Sequence, residues 1–475
     1  VRTKSAKILL SLVTVALAST LSASPAIASN GYTWTNATPS SPYAGVGYQD
    51  IVSSSSGKYL AATQVNADII TSSDYGATWV NRTASTALSG SHWQNIASDA
   101  SGQHLVAPVY NGDVQTSSDY GATWADRAAA GSRAWQEAAS SSDGKYLAAN
   151  ADGGHVWTSS DYGATWTDRA AAGARTWRGI ASSGSGQVIV ATVQNGDLYR
   201  SSDYGATWTN LTSGVAAMHN KQWEKLDVSN DGSTIAAAIF GGHVFTSANS
   251  GSTWTDQSSL GNGSWDAVAV SYLGAHFAVG SVAGDVFTSD DSGATWTNST
   301  SSTSASGKFW SGLDFSGSGQ RLVASDSGGG NLWTANNPAY TAAQPGVTNS
   351  TTTVTANGSV EVDVLGGISG FPDAATLAIT SSPSHGMAVD PPGTITYTPA
   401  VGYVGSDSLS YQVCSTLDPT VCKGAVLDFS VVPGAPGTGA IRPSWPAGLP
   451  LGVLSLMSIL VGAGLSRPRR IKSAS

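Results

Sequence analysis

One eight-residue phrase recurs along this chain and limits what it can fold into. Ser72-Ser73-Asp74-Tyr75-Gly76-Ala77-Thr78-Trp79 returns at 117–124, 159–166, 201–208, 247–254 and 289–296. Its glycines, at 76, 121, 163, 205, 251 and 293, are 42 to 46 residues apart. Repetition at that period marks stacked supersecondary units, and the length suits a four-stranded propeller blade. The phrase has a local physical reading. Asp bonds backbone amides across a tight turn, Gly supplies the positive φ that the turn needs, and Trp supplies a large plate to bury between blades.

Each phrase sits in a longer unit. A Trp at 93, 135, 177, 223, 265 and 310, replaced by Tyr48 in the first unit, opens an inner strand such as 93–98. A Ser/Gly turn, a second strand such as 146–149, a Gly-containing turn and a third strand such as 285–288 precede the phrase, and an outer strand follows from its Thr-Trp. Alternation and length favour strands over helices. Seven openings accompany only six complete phrases, because the last unit stops at 332–336. Gly31-Tyr32-Thr33-Trp34-Thr35 matches the second half of a phrase, so the N-terminal strand is expected to complete the last blade and close the ring. The expectation is an all-β fold: a seven-bladed β-propeller over 29–337, plus a small β-sandwich.

The S-x-D-x-G-x-T-W pattern resembles the Asp-box, or BNR, repeat of sialidases and related propellers. That resemblance implies that the box folds the hairpin between the two outer strands. Seven-bladed propellers of this kind also resemble the photosystem II assembly factor, a binding protein without enzymatic activity.

The ends read as targeting segments. Residues 1–28 have a basic start, an apolar run at 8–21 and the small-residue site Ala26-Ile27-Ala28, the form of a secretory signal. The stretch 446–465 is apolar, uncharged and long enough to span a bilayer, and a basic tail at 466–475 follows it. Upstream, a Gly/Pro linker at 433–445 contains Ala435-Pro436-Gly437-Thr438-Gly439. It resembles a sortase sorting signal, with Ala where Leu is usual. That resemblance implies cleavage between Thr438 and Gly439 and attachment to a cell wall; a plain membrane anchor is the alternative. Either arrangement puts the body outside the cell, at its surface.

After a linker at 338–349, residues 350–432 become rich in Thr and Val. Tyr397-Thr398-Pro399 and the run 402–411 resemble bacterial cadherin-like and Ig-like stalk domains. The only two cysteines, Cys414 and Cys422, fall here. In an oxidising compartment they are expected to form a disulfide across a hairpin, and a metal site is the weaker reading.

Charge excludes one class of partner. Removing the basic residues at 2, 4 and 7 and those of the tail, 442, 467, 469, 470 and 472, leaves 14 Lys and Arg against 31 Asp and Glu. Such an acidic body is not expected to bind nucleic acid.

An enzymatic reading has little to stand on. The chain lacks the early Arg-Ile-Pro of sialidases, which have six blades, and its propeller contains only two glutamates, Glu137 and Glu224. The residues just after the opening aromatics, Gln49, Gln94, Gln136, Arg178, Glu224, Asp266 and Ser311, are expected to ring the mouth of a central channel. Glu224 and Asp266, on adjacent blades, are the pair to test for glycosidase chemistry. The box residues Asp74, Asp119, Asp161, Asp203, Asn249 and Asp291 are assigned to turns. Asp68, Asp113, His155, Asp197, His243, Asp285 and Asn331, at the turn into the third strand, are read the same way.

Arginines are distributed unevenly. Arg82, Arg127, Arg133, Arg169, Arg175 and Arg178 all lie in or beside segments leading from an outer strand to the next inner strand. Those segments are expected on the face opposite the boxes, where Arg127, Arg133, Arg169, Arg175 and Arg178 would form a positive arc for carboxylate, sulfate or phosphate groups. Loop duplication without a role accounts for the same pattern. The reading is a surface-anchored binding or adhesion protein for a glycan or protein ligand, acidic ligands among them, with no cofactor and no metal. A secreted carbohydrate-active enzyme is the alternative.

Overall fold

The computed structural model describes residues 31–38, 42–337, 347–365, 375–391, 393–415 and 422–434. The expected leader, Thr438 and Gly439, the apolar stretch and the basic tail lie outside the described residues. Among the described residues no helix is long and apolar enough to cross a membrane.

The fold is all-β, and its larger part is a propeller. Strands Tyr48–Ser53, Leu60–Gln64, Ile69–Ser72 and Val80–Asn81 pair in chain order as one antiparallel blade. The same order recurs in the blades whose inner strands follow Trp93, Trp135, Trp177, Trp223 and Trp265. In the blade opened by Trp310, three strands are C-terminal and the outer one is Thr33–Asn36, which pairs antiparallel with Leu332–Asn336. The N-terminal strand thus covers an edge that would otherwise present unpaired backbone groups.

Neighbouring blades are also stitched at the start of the inner strands. Asp152 pairs with Thr176 and Gly154 with Arg175 across one boundary, and Gln194 with Gln222 and Gly196 with Lys221 across the next.

The plates buried between blades are the strand-opening aromatics. Tyr48, Trp93, Trp135, Trp177, Trp223 and Trp310 are fully buried, and Trp265 nearly so. Truncating one to Ala should cost on the order of 3–5 kcal/mol. Each indole N–H reaches a backbone carbonyl, such as Gly154 for Trp177 (3.1 Å) and Gly242 for Trp265 (3.0 Å). The box tryptophans were expected in this role, but they are only half-buried and lean on the inner ones, as Trp124 does on Trp93 (6.3 Å) and Trp208 on Trp177 (6.1 Å). The box turn lies at the rim, so its Trp keeps one side toward solvent.

The boxes fold as their composition predicts. Asp119 accepts from the Thr123 amide (2.8 Å), the Thr123 hydroxyl (2.7 Å) and the Ser117 hydroxyl (2.9 Å), while the Gly121 amide donates to Ser117 Oγ (2.9 Å). Gly121 has φ +80° and the preceding Tyr120 has φ +61°. Asn249 substitutes in its box by accepting from the Thr253 amide and donating to its hydroxyl.

The smaller part has two sheets. In one, Ser350–Thr355 runs parallel to Cys422–Val432, which pairs antiparallel with Gly405–Ser415, itself flanked by Ala375–Ser381. The other contains Val360–Asp363, Thr394–Pro399 and Gly386–Val389. Its core includes Ile395, Tyr397, Leu409, Val413, Leu427 and Phe429. Cys414 and Cys422 face each other in register and are joined by a disulfide.

Candidate functional site

Every fully laddered inner strand breaks register just after its opening aromatic. Tyr48 faces Gln64 while Asp50 faces Thr63, so Gln49 is extra; Gln136, Asp266 and Ser311 are extra in the same way. Longer irregularities span 178–179 and 224–225. A bulge re-aims the side chain it carries. The bulges coincide with the ring positions proposed from sequence.

The structure brings part of that ring together. Arg178 donates to Gln136 (3.0 Å) and to Gln194 (2.9 Å), so two amide oxygens hold the guanidinium, while its buried Nε meets no acceptor. Burial raises the Glu224 carboxyl above its ordinary range, against the pull of Arg178 and Lys225. Burial also pushes Asp266 up to about 6, opposed by Lys225 and reinforced by Glu224. Two carboxyl groups that interact and are held toward their protonated forms are the chemistry a general acid requires. Ser311 is different: its hydroxyl is buried and donates to the Tyr48 carbonyl (2.8 Å).

Below the ring lies a set of polar residues that the sequence reading passed over. Asp50 accepts from the Ile96 amide (3.2 Å) of the next blade, Asn95 from the Ala138 amide (2.9 Å), and Glu137 from the Ile180 amide (3.1 Å). Asp227 does the same for Val270 (2.7 Å) and Asp314 for Ser53 (2.7 Å), each two residues further along its strand. These side chains clip five of the inner strands to their neighbours. Where the position is Gly312, an added Cβ would fall 2.3 Å from Asp50 Oδ1, so glycine is what leaves room for the adjacent clip.

The channel cavity is lined by Asp50, Glu137, Lys225, Asp227 and Asp314. Burial pushes Asp50 and Asp227 up to about 7 and Asp314 well above the usual range. Burial alone would discharge Lys225, but Glu137, Asp50 and Asp266 overcome it and hold the ammonium charged, in contact with Glu137.

One signal for these residues was present in the sequence. The column Val52, Ala97, Ala139, Ala181, Asp227, Ala269 and Asp314 is small and apolar except at its two aspartates.

The arginines do not form one arc. Arg133 and Arg175 donate through Nε to the carbonyls of Ala130 (3.0 Å) and Ala172 (2.9 Å), and lie over the rings of Trp157 (4.2 Å) and Tyr199 (4.4 Å). Arg127 and Arg169 turn the other way. Their Nε atoms donate to Thr116 (2.6 Å) and Thr158 (2.7 Å), and lie 3.5 Å from where a Cβ on the next blade's box glycines, Gly163 and Gly205, would stand. The expected placement opposite the boxes fails for these two. Their backbone lies in the connecting segment, but the long side chains run back along the blade boundary toward the boxes.

Five of the seven residues at the turn into the third strand are paired across to the outer strand, while Asp113 accepts from Ser132 and Asn331 donates to the Gly329 carbonyl. Asp68 accepts from Asn81 (2.7 Å) and Asp197 from Asn210 (2.7 Å), while His155 meets Asp168 (2.8 Å) and His243 meets Asp256 (2.8 Å). Among the described residues no group of three or more His, Cys, Asp or Glu is arranged to hold a metal ion.

A family model for the BNR-Asp box repeat matches residues 198–211, and one for a bacterial Ig domain matches residues 336–421. No curated protein sequence matches the chain. Among solved structures it is similar to YCF48 bound to a D1 peptide, at 16% identity and a TM-score of 0.51, covering 65% of this chain and 97% of that one. It is also similar to the GH74 enzyme of Niastella koreensis (16% identity, TM-score 0.53), covering 83% of this chain and 67% of that one. For the GH74 xyloglucanase of Xanthomonas campestris the values are 16%, 0.50, 65% and 54%, so the chain spans about half of that enzyme. At such identity these likenesses show the fold alone. The chain combines a propeller with an Ig-like domain.

Proposed function

We propose that this chain is a non-enzymatic ligand-binding or adhesion protein whose propeller, of seven blades, is carried on an Ig-like stalk at a cell surface. The leader at 1–28, the sorting signal at Thr438 and Gly439 and the apolar span at 446–465 supply the surface location in this reading. The observation that carries the rejection of catalysis is the use made of the channel carboxylates. Asp50, Glu137, Asp227 and Asp314 each accept an amide of the neighbouring blade, so the acidic groups deepest in the channel are committed to closing the ring. YCF48, with a similar fold, was solved bound to a peptide, which supports a propeller of this shape serving as a binding platform. The ligand we favour is a surface glycan with acidic groups.

Glu224 and Asp266 favour a second reading. Both have raised pKa values at the channel mouth and neither is used as a blade clip, so a glycoside hydrolase would place its carboxyl pair there. A glycan array read together with a hydrolysis screen separates the two. Binding without turnover, unchanged in Glu224→Gln and Asp266→Asn, supports the first; turnover abolished by either substitution, with the fold intact, replaces it with the second.

A further inference from the structure

Three successive blade boundaries on the box side share one construction, and a fourth, between the last blade and the first, joins a box tyrosine to an arginine in another way, with Arg321 over the ring of Tyr75 (4.3 Å). At the first, Tyr59 packs at a tilt against the box residue Tyr120 of the next blade (ring centroids 4.4 Å apart); at the next, His104 packs against Tyr162 (5.0 Å); at the third, Tyr146 packs against Tyr204 (4.7 Å). Each pair borders a cleft that also contains an arginine: Arg82, Arg127 and Arg169 in turn. Tyr162 and Tyr204 stay 43% and 37% exposed, so part of each ring is open to a ligand.

The arginines are tethered by one nitrogen. Arg82 donates through Nε to Thr71 (2.6 Å), as Arg127 and Arg169 do to their threonines. The Nη amines of Arg82 and Arg169 meet no protein acceptor among the described residues, and Arg127 offers one Nη at 3.4 Å to the Tyr162 carbonyl. A guanidinium anchored at Nε presents its remaining edge as a fixed fork for a carboxylate.

The rest of the ring shows that blade packing does not require this set. Gln257 occupies the equivalent position two blades on from Arg169, and its amide donates to Thr246 (2.8 Å), reproducing the tether without the charge. Leu211 fills the corresponding space under Gly251. In those later boxes Ser250 and Ser292 stand where the tyrosines do, in the same positive-φ conformation. Aromatic ring and arginine therefore occur together across one part of the ring and are absent together from another.

Resting on the acidic-glycan reading above, we infer that these three clefts form a tandem site for a polysaccharide bearing carboxylated sugars. Each tyrosine offers its face to the C–H face of a pyranose ring, and each arginine takes the carboxylate. The adjacent box aspartates are engaged by Thr and Ser donors, and Lys58 and Lys145, over Tyr59 and Tyr146 (5.2 and 5.3 Å), offset their charge locally. Repeated weak sites along one polymer give avidity that none has alone.

The test uses the full chain, immobilised polygalacturonate, its methyl-esterified form, and variants Arg82→Gln, Arg127→Gln and Arg169→Gln singly and together. Gln is chosen because Gln257 shows that this fold accepts it; unchanged thermal unfolding confirms that the variants are folded. The inference expects each single change to weaken polygalacturonate binding by roughly three- to tenfold, the triple change by more than about a hundredfold, and methyl-esterification to act like the triple change. Equal binding of the esterified polymer overturns carboxylate recognition. Undiminished binding by the triple variant, with loss in Arg178→Gln, overturns the clefts while leaving the acidic-glycan reading in place. Failure of the wild type to bind polygalacturonate while it binds another acidic glycan overturns the inference, and failure on every acidic glycan overturns both.

Discussion

The channel wall and the box rim both depend on carboxylates that accept backbone amides, yet they sit in opposite electrostatic regimes. In the channel, burial dominates and pushes Asp50 and Asp227 up to about 7. At the rim, the hydroxyl and amide of Thr207 and the hydroxyl of Ser201 hold Asp203 down to about 2. Hydrogen bonds to a charged form lower its pKa, and loss of water raises it. The comparison teaches that a regular array of acids and a buried cluster of acids are both architectural here, for different reasons. Position in the fold decides whether an acid is charged.

The largest expected break in that comparison is Lys225→Met. It leaves Glu137 buried without its cation, and equilibrium unfolding should show a loss of about 3–5 kcal/mol. No rim substitution should approach that.

Next is the pH profile. Folded-state pKa values of Asp50 and Asp227 above the unfolded range mean that the folded chain binds more protons than the unfolded one between about pH 4 and 7. Their contribution to stability is therefore greatest below that window and falls as pH rises through it. The box aspartates act in the opposite sense, contributing above about pH 4 and losing that contribution as pH falls toward 2. Asp50→Asn should remove part of the channel slope. Its stability relative to wild type should rise by at least about 1 kcal/mol from pH 4 to pH 7 in denaturant titrations at each pH. A pH-independent difference would mean that the channel carboxylates are not protonated as the burial argues.

A smaller effect is expected at the rim. Asp119→Ala removes three accepted hydrogen bonds from one exposed turn, and solvent compensates for most of them, so the loss in chemical unfolding should be about 1 kcal/mol. Glu224→Gln should be the smallest, within about 0.5 kcal/mol of wild type. A larger loss there would make the channel mouth part of the architecture and remove it from consideration as a site.

Much of the fold was legible because its causes are local. The box needs Asp or Asn, Gly and Thr at fixed offsets to close one turn, and such residues stand at 74, 76 and 78 and in the later copies. Pairing of Thr33–Asn36 with Leu332–Asn336 was also readable, since half a motif at one end matched the half missing at the other. The bulges were not, because nothing in Trp-Gln-Glu differs from an ordinary alternating strand; they appear only when the inner strand must pair with its own neighbour and face the channel together. The course of Arg127 and Arg169 was missed for a related reason. Sequence assigns a residue to a segment, and a side chain several ångströms long can leave that segment's face entirely.

The sequence by itself determined the repeating turn, the blade length, the closing strand and the disulfide partners, all of which depend on residues close in the chain or on matching halves of one pattern. Only the tertiary structure decided which acids are buried, which nitrogen of each arginine is tethered, and that Tyr120, Tyr162 and Tyr204 share clefts with Arg82, Arg127 and Arg169. Those relations arise between blades, where the spacing of side chains depends on how successive sheets pack and the linear order carries no record of it.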